Sequence, residues 1–274
     1  MEEIRPQPHP ALGLPVSSTT VRVQAIDSTT RMACNAHAFV QPSIPNHTIL
    51  NLKTMCFLLE HKSEGGSPSE YVLFDCGSRK DYWNGSPKTC SMIANNLVGM
   101  QVEYGVDEIL TASGFDLSLL SMDSFIYTTI VLCESTLTCL IAESIVWSHW
   151  HWDHIGDGSR FPSTVDVVVG PGFINEFAPG WPENPNCPVL QSDLTYVVCY
   201  YFTCASAVSN CSKPKTDING REHRIHEPKF DIEVAGFPAY DYFGDGSFYL
   251  LDVPGVCSFI YLFTSCHCRG WIQH

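Results

Sequence analysis

From Val21 onward, apolar and polar side chains alternate in runs that read as β-strands: residues 21–27 (Val-Arg-Val-Gln-Ala-Ile-Asp), 53–60 and 71–75. A period of two turns one face of each run towards a core. Such strands, joined by hairpins before any helix, predict the first sheet of a layered fold. The pattern changes between Ser78 and Phe115. A polar turn gives way to spaced apolar residues over 92–100 and then to 106–110, which predict one or two helices, the second stopped near Ser113-Gly114. The β-branched run at 144–147 predicts a further strand, and Gly156-Asp157-Gly158 a turn beyond it.

Three windows break this texture. Residues 122–143, 196–212 and 256–274 are apolar and rich in Cys, carry few charges, and hold eight of the thirteen cysteines. Within the first, 125–142 is about 18 residues long and just reaches transmembrane length. Glu134 at its middle and the lack of flanking Lys or Arg argue against a span. The shared composition motivates reading all three as translated non-coding sequence, such as retained introns. The expected organisation is a flexible arm at 1–20, one domain over 21–255 with atypical inserts at 122–143 and 196–212, and an atypical tail at 256–274.

A length of 274 residues allows one large domain with a substantial core. The net charge of −14, with no Lys/Arg cluster to offset it, excludes a general affinity for nucleic acid. Pro6, Pro8, Pro10 and Pro15 interrupt any apolar leader. The cysteines are therefore expected reduced, in a cytoplasmic protein with no membrane partner.

The candidate chemistry is concentrated at 148–156, Ser-His-Trp-His-Trp-Asp-His-Ile-Gly. His149, His151, Asp153 and His154 place three imidazoles and a carboxylate within six positions, where a strand ends and a turn begins. In extended backbone, residues two apart share a side, so His149 and His151 can converge on one ion with Asp153 on the same face. His154 can then reach a second ion. Imidazole and carboxylate donors suit Zn²⁺, and also Fe²⁺ or Mn²⁺, while the absence of thiolate is unlike a closed structural zinc site. An open metal position lowers the pKa of bound water and supplies hydroxide at neutral pH.

Other candidates are weaker. His37, His47 and His61 lack a second donor at ligand spacing and read as ordinary polar histidines. His223 and His226 have helix-like spacing in a charged setting and read as a solvated face. Cys266-His267-Cys268 does not have the spacing of a zinc knuckle.

The run His149-x-His151-x-Asp153-His154 resembles the signature of the metallo-β-lactamase superfamily. Leu73-Phe74-Asp75-Cys76-Gly77-Ser78-Arg79-Lys80-Asp81 and Val168-Val169-Gly170-Pro171-Gly172-Phe173 are most similar to fungal-type, lactonase-like members. The resemblance extends over about 21–255. It implies an α+β fold, an αββα sandwich with the metal site at one edge of its two sheets. It further implies that His149 and His151 serve a first zinc, Asp153 and His154 a second, and that Asp75 stands beside the site.

By the same resemblance, Tyr249-Leu250-Leu251-Asp252-Val253-Pro254-Gly255 approaches a Pro-Gly-His motif, but Val256 stands where the family has a third histidine. Only four of its usual seven ligand-type residues are found, so the fold is expected to be incomplete at its C-terminal side. Two readings follow. One is a metal-dependent hydrolase in which metal-bound hydroxide attacks a small lactone, lactam or thioester carbonyl while Asp153 helps orient two zinc ions. The other is an inactive truncated or mis-spliced product. An iron-dependent oxygenase of the same fold is a third possibility. Trp147, Trp150, Trp152 and Phe161 either line such a site or pack beneath it.

Overall fold

The computed structural model describes residues 17–62, 68–120, 144–162, 165–194, 224–254, 258–264 and 266–272. In chain order the strands are β1 (Val21–Asn35), β2 (Ile49–His61), β3 (Glu70–Phe74), β4 (Leu97–Val102), β5 (Ser144–Val146), β6 (Asp166–Val168), β7 (Arg224–His226), β8 (Ile232–Val234), β9 (Phe237–Asp241), β10 (Phe248–Pro254), β11 (Ser258–Thr264) and β12 (Cys266–Ile272). The helices are α1 (Pro87–Asn96), α2 (Val106–Ala112), α3 (Trp152–Ile155) and α4 (Phe173–Phe177).

These strands form two sheets. The larger runs β12-β1-β2-β3-β5-β6-β7, with β4 also paired to β1, and the smaller runs β11-β10-β9-β8. Pairing is antiparallel through β1, β2 and β3 and parallel from β3 through β7.

Alternation along each strand sorts side chains into layers. Cys56, Leu58, Leu73, Ile145 and Val167 face a core that includes Ile109 and Leu110 of α2 and Phe173 and Phe177 of α4. Their neighbours Leu59, Val72, Phe74, Val146 and Val168 point the other way, onto Tyr242, Phe248 and Leu250, and fill the space between the sheets. Burial on both faces explains why the short strands β3, β5 and β6 are almost wholly apolar. Each such aliphatic residue contributes about 1.5–3 kcal/mol by leaving water. On the far face of the smaller sheet, Val234, Ala239, Tyr249 and Leu251 form a third cluster. The architecture is the α+β sandwich expected, with α2, α3 and α4 on the outer face of the larger sheet.

Several local expectations need correction. The helix expected over 92–100 begins earlier, at Pro87 behind the cap Ser86, whose Oγ accepts the Thr89 N–H at 3.2 Å, and stops at Asn96. Leu97 to Val102 is instead strand, because its backbone bonds to Thr30–Cys34 of β1, a tertiary pairing that overrides local helical spacing. His226 lies in β7 rather than on a helix, and its Nε2 is 2.9 Å from Asp166 Oδ2; His223 lies outside the described residues. The second helix, α2, ends as expected, with Gly114 in the left-handed region at φ 85°.

The windows 122–143 and 196–212 lie outside the described residues. In the third window, 258–264 and 266–272 form β11 and β12, which pair with β10 and β1. No helix among the described residues is long and apolar enough to cross a membrane, and the 125–142 segment lies outside them.

Candidate metal centre

Parallel strands β3 and β5 end side by side, and the loops leaving them build the site, the usual position for chemistry in a parallel sheet. Asp75 follows β3 with a left-handed backbone, φ 61°, and its N–H bonds to the Val146 carbonyl at 2.9 Å. The loop after β5 carries Ser148 to His151 and then winds into α3, which holds Asp153 and His154. Its far end is fastened to the first loop, since Cys76 N–H donates to the His154 carbonyl at 2.7 Å. That approach requires glycine at 156: a Cβ there would lie 2.5 Å from Cys76 Cβ, and φ is 63°.

One carboxylate orients this loop. Asp75 is 4% exposed; its Oδ1 accepts the Ser148 N–H, and its Oδ2 accepts both the Ser148 hydroxyl at 2.8 Å and His154 Nδ1 at 2.7 Å. Ser148 spends its only hydroxyl proton on Asp75, so its Oγ, 3.0 Å from His149 Nδ1, accepts there. Both imidazoles therefore carry hydrogen on Nδ1 and present Nε2 as the nitrogen able to bind metal, the arrangement by which an outer carboxylate fixes a histidine ligand's tautomer.

The candidate ligands stand close to one another. His149 and His151 have ring centroids 4.6 Å apart, and His149 and His154 are 4.2 Å apart. His154 Nε2 lies 3.5 Å from Asp153 Oδ2. Two atoms bound to one tetrahedral ion at about 2.1 Å lie ~3.4 Å apart, so this pair is spaced as a bite for a cation. Asp153 Oδ2 also accepts the Thr54 hydroxyl at 3.3 Å.

Electrostatics separates the three rings. Burial pushes His149 down to about 2, helped by the nearby His154 and His151. His151 is also lowered, by burial first, with Asp153 opposing and His154 assisting. Both are neutral, as ligation requires. Burial lowers His154 too, but its hydrogen bond to Asp75 and the charges of Asp153 and Asp75 outweigh that and hold it above its ordinary value. Its Nε2 binds a metal ion only in the neutral form of the ring. Burial, with the Asp75 charge, keeps the Cys56 and Cys76 thiols well above their usual range, so neither offers a thiolate.

The four residues form one wall rather than a closed cage. Among the described residues, no group of three or more His, Cys, Asp or Glu side chains is placed to hold an ion. Positions 255–257, where the family's third histidine would be approached, lie outside the described residues. Of the aromatic candidates, Trp147 and Phe161 are buried in the core. Trp150 is half-buried, in edge contact with His151 at 4.4 Å and tilted against Phe177 at 5.6 Å. Sequence reasoning missed Thr54 as a partner of Asp153, though a polar residue in an otherwise apolar row was a signal. It also missed how His61 is held, 3% exposed between Glu70 and Asp245.

Comparison with known proteins adds a decisive observation. The metallo-hydrolase mfmC of Annulohypoxylon moriforme is 37% identical over 253 residues, covering 91% of this chain and 53% of that protein. The gamma-lactamase FDB1 of Fusarium pseudograminearum (strain CS3096) is 32% identical over 248 residues, 90% of this chain and 49% of its own length. The chain belongs to the metallo-β-lactamase superfamily. It is a fungal-type member of that superfamily. A segment of the cytochrome P450 monooxygenase mpaDE' of Penicillium brevicompactum, 24% of that protein, is also 34% identical to this superfamily member over 252 residues. No protein-family model matches the chain. It spans about half the length of the first two relatives.

Proposed function

We propose that this superfamily member is a metal-dependent hydrolase of a small lactone, lactam or thioester, working in the cytoplasm without nucleic acid or membrane partners. The observation that carries the reading is the Asp75–Ser148 relay, which turns Nε2 of both His149 and His154 into candidate ligand atoms. His149 and His151 would hold one zinc, and Asp153 with His154 a second. When bound, the ions supply Lewis-acid polarisation of a carbonyl and activation of water. The chain's own residues orient and exclude: Asp75 fixes the imidazoles, Asp153 Oδ2 holds the bite with His154, and half-buried Trp150 offers an apolar surface beside His151. Among cyclic carbonyl compounds, a lactam is the favoured substrate class, since one relative is named a gamma-lactamase.

A second reading is an inactive chain with an incomplete site. Val256 at the position of the family's third histidine, and the absence of a three-donor group among the described residues, favour it. Elemental analysis after exhaustive dialysis, paired with hydrolysis of a γ-lactam and a generic lactone, separates the two. About two equivalents of zinc with turnover is the dinuclear outcome. Neither zinc nor turnover establishes the inactive chain.

A further inference from the structure

Thr54 stands at an irregular point of the larger sheet. The β1–β2 register passes from Asp27↔Met55 directly to Arg31↔Lys53, so Ser28, Thr29 and Thr30 together face Thr54. This is a special bulge, three residues against one, with Thr29 at φ 57°. Bulges re-aim side chains next to functional sites. Two of its side chains tie it to neighbouring segments. Ser28 Oγ donates to the Thr54 carbonyl at 2.7 Å, and Thr29 Oγ1 accepts the Tyr104 N–H at 2.8 Å, tying the bulge to the start of α2.

The alternation of β2 gives the bulge a purpose. Leu58, Cys56 and Thr54 project from the same side of the strand, and the first two are fully buried core residues. At Thr54 the row meets the metal loop and a hydroxyl replaces an aliphatic group. Thr54 is 4% exposed, and its hydroxyl donates to Asp153 Oδ2, the oxygen that also faces His154 Nε2. Asp153 sits on a four-residue helix, and this hydrogen bond reaches its carboxylate from a strand paired on both sides.

We infer that Thr54 is a positioning residue that locks the Asp153 carboxylate towards His154, so the ion held by that pair depends on it. The consequence for metal rests on the function proposed above; the locking itself does not. Threonine suits the role because valine has its shape without the donor, whereas serine keeps the donor.

The test compares the parent chain with Thr54→Val and Thr54→Ser. In metal-free protein, the carboxyl ¹³C resonance of Asp153, assigned with Asp153→Asn, is expected to move in Thr54→Val and return in Thr54→Ser. A resonance unmoved by Thr54→Val overturns the inference. With zinc titrated against a chromophoric chelator, Thr54→Val is expected to weaken one of two ions about 10–100-fold, the usual cost of losing a ligand's outer partner. Thr54→Ser should bind as the parent does. Equal affinity in all three proteins, or failure of serine to restore binding, also overturns it. If the parent takes up no zinc, the hydrolase reading falls while the carboxyl resonance still decides the role of Thr54.

Discussion

His154 Nδ1 donates to Asp75 Oδ2 over 2.7 Å, so an imidazole of the metal loop is aimed by a carboxylate at the end of a different strand. Asparagine at 75 could still accept from the Ser148 N–H, but its amide nitrogen would set donor against donor at His154 or Ser148. Asp75→Asn is expected to keep the fold and weaken zinc about 10–100-fold, read by chelator competition.

His151 is the ligand candidate with the weakest link to that relay, and it is held instead by ring contacts with His149 and Trp150. His151→Ala is expected to remove the first ion, so that zinc per chain falls by about one equivalent in the dinuclear scheme. Unchanged stoichiometry by elemental analysis would reject the assignment.

Gly156 tests whether the two loops must touch. Alanine there would meet Cys76 Cβ at 2.5 Å and the Cys76 carbonyl oxygen at 2.7 Å, in a left-handed conformation. The expected loss is about 2–4 kcal/mol, from backbone strain and overpacking together, measured by urea denaturation.

His61 supplies a pH dependence away from the metal loop. Its Nδ1 is 2.7 Å from Glu70 Oε2, its Nε2 2.8 Å from Asp245 Oδ2, and its ring stacks on Phe243 at 3.9 Å. Burial lowers His61, but the two carboxylates outweigh it and raise it above its ordinary value. Its contribution is therefore complete below the unfolded-state pKa of about 6.5 and disappears as pH rises through the elevated folded value. Asp245 is opposed by burial yet lowered by its bonds to Ser247 and His61, so its share is lost on the acid side, as pH falls through its depressed value. His61→Gln is expected to cost about 1.5–3 kcal/mol at pH 6, the range for hydrogen bonds to charged groups, and much less at pH 9. Urea midpoints at the two pH values check this, and a pH-independent difference would reject it.

The strands and the metal loop were legible because their signals are local. Alternation marked β1, β2 and β3, and the packed imidazoles of 149–154 needed no partner to be noticed. What escaped depends on distant residues. Leu97–Val102 becomes a strand only because β1 offers an edge, and Thr54 matters only because a bulge brings it to Asp153. His61 carried an ordinary-looking context in sequence, since Asp245 reaches it from the far part of the chain and only Glu70 is near.

Strand β1 pairs in parallel with β12, placing Val21 opposite Cys266. During synthesis β1 must wait for a strand made much later, leaving this hydrogen-bonding edge unsatisfied meanwhile. Long-range closure of this kind slows folding and leaves a template for mispairing. The nascent chain should therefore depend on chaperones, and its yield should respond to translation rate.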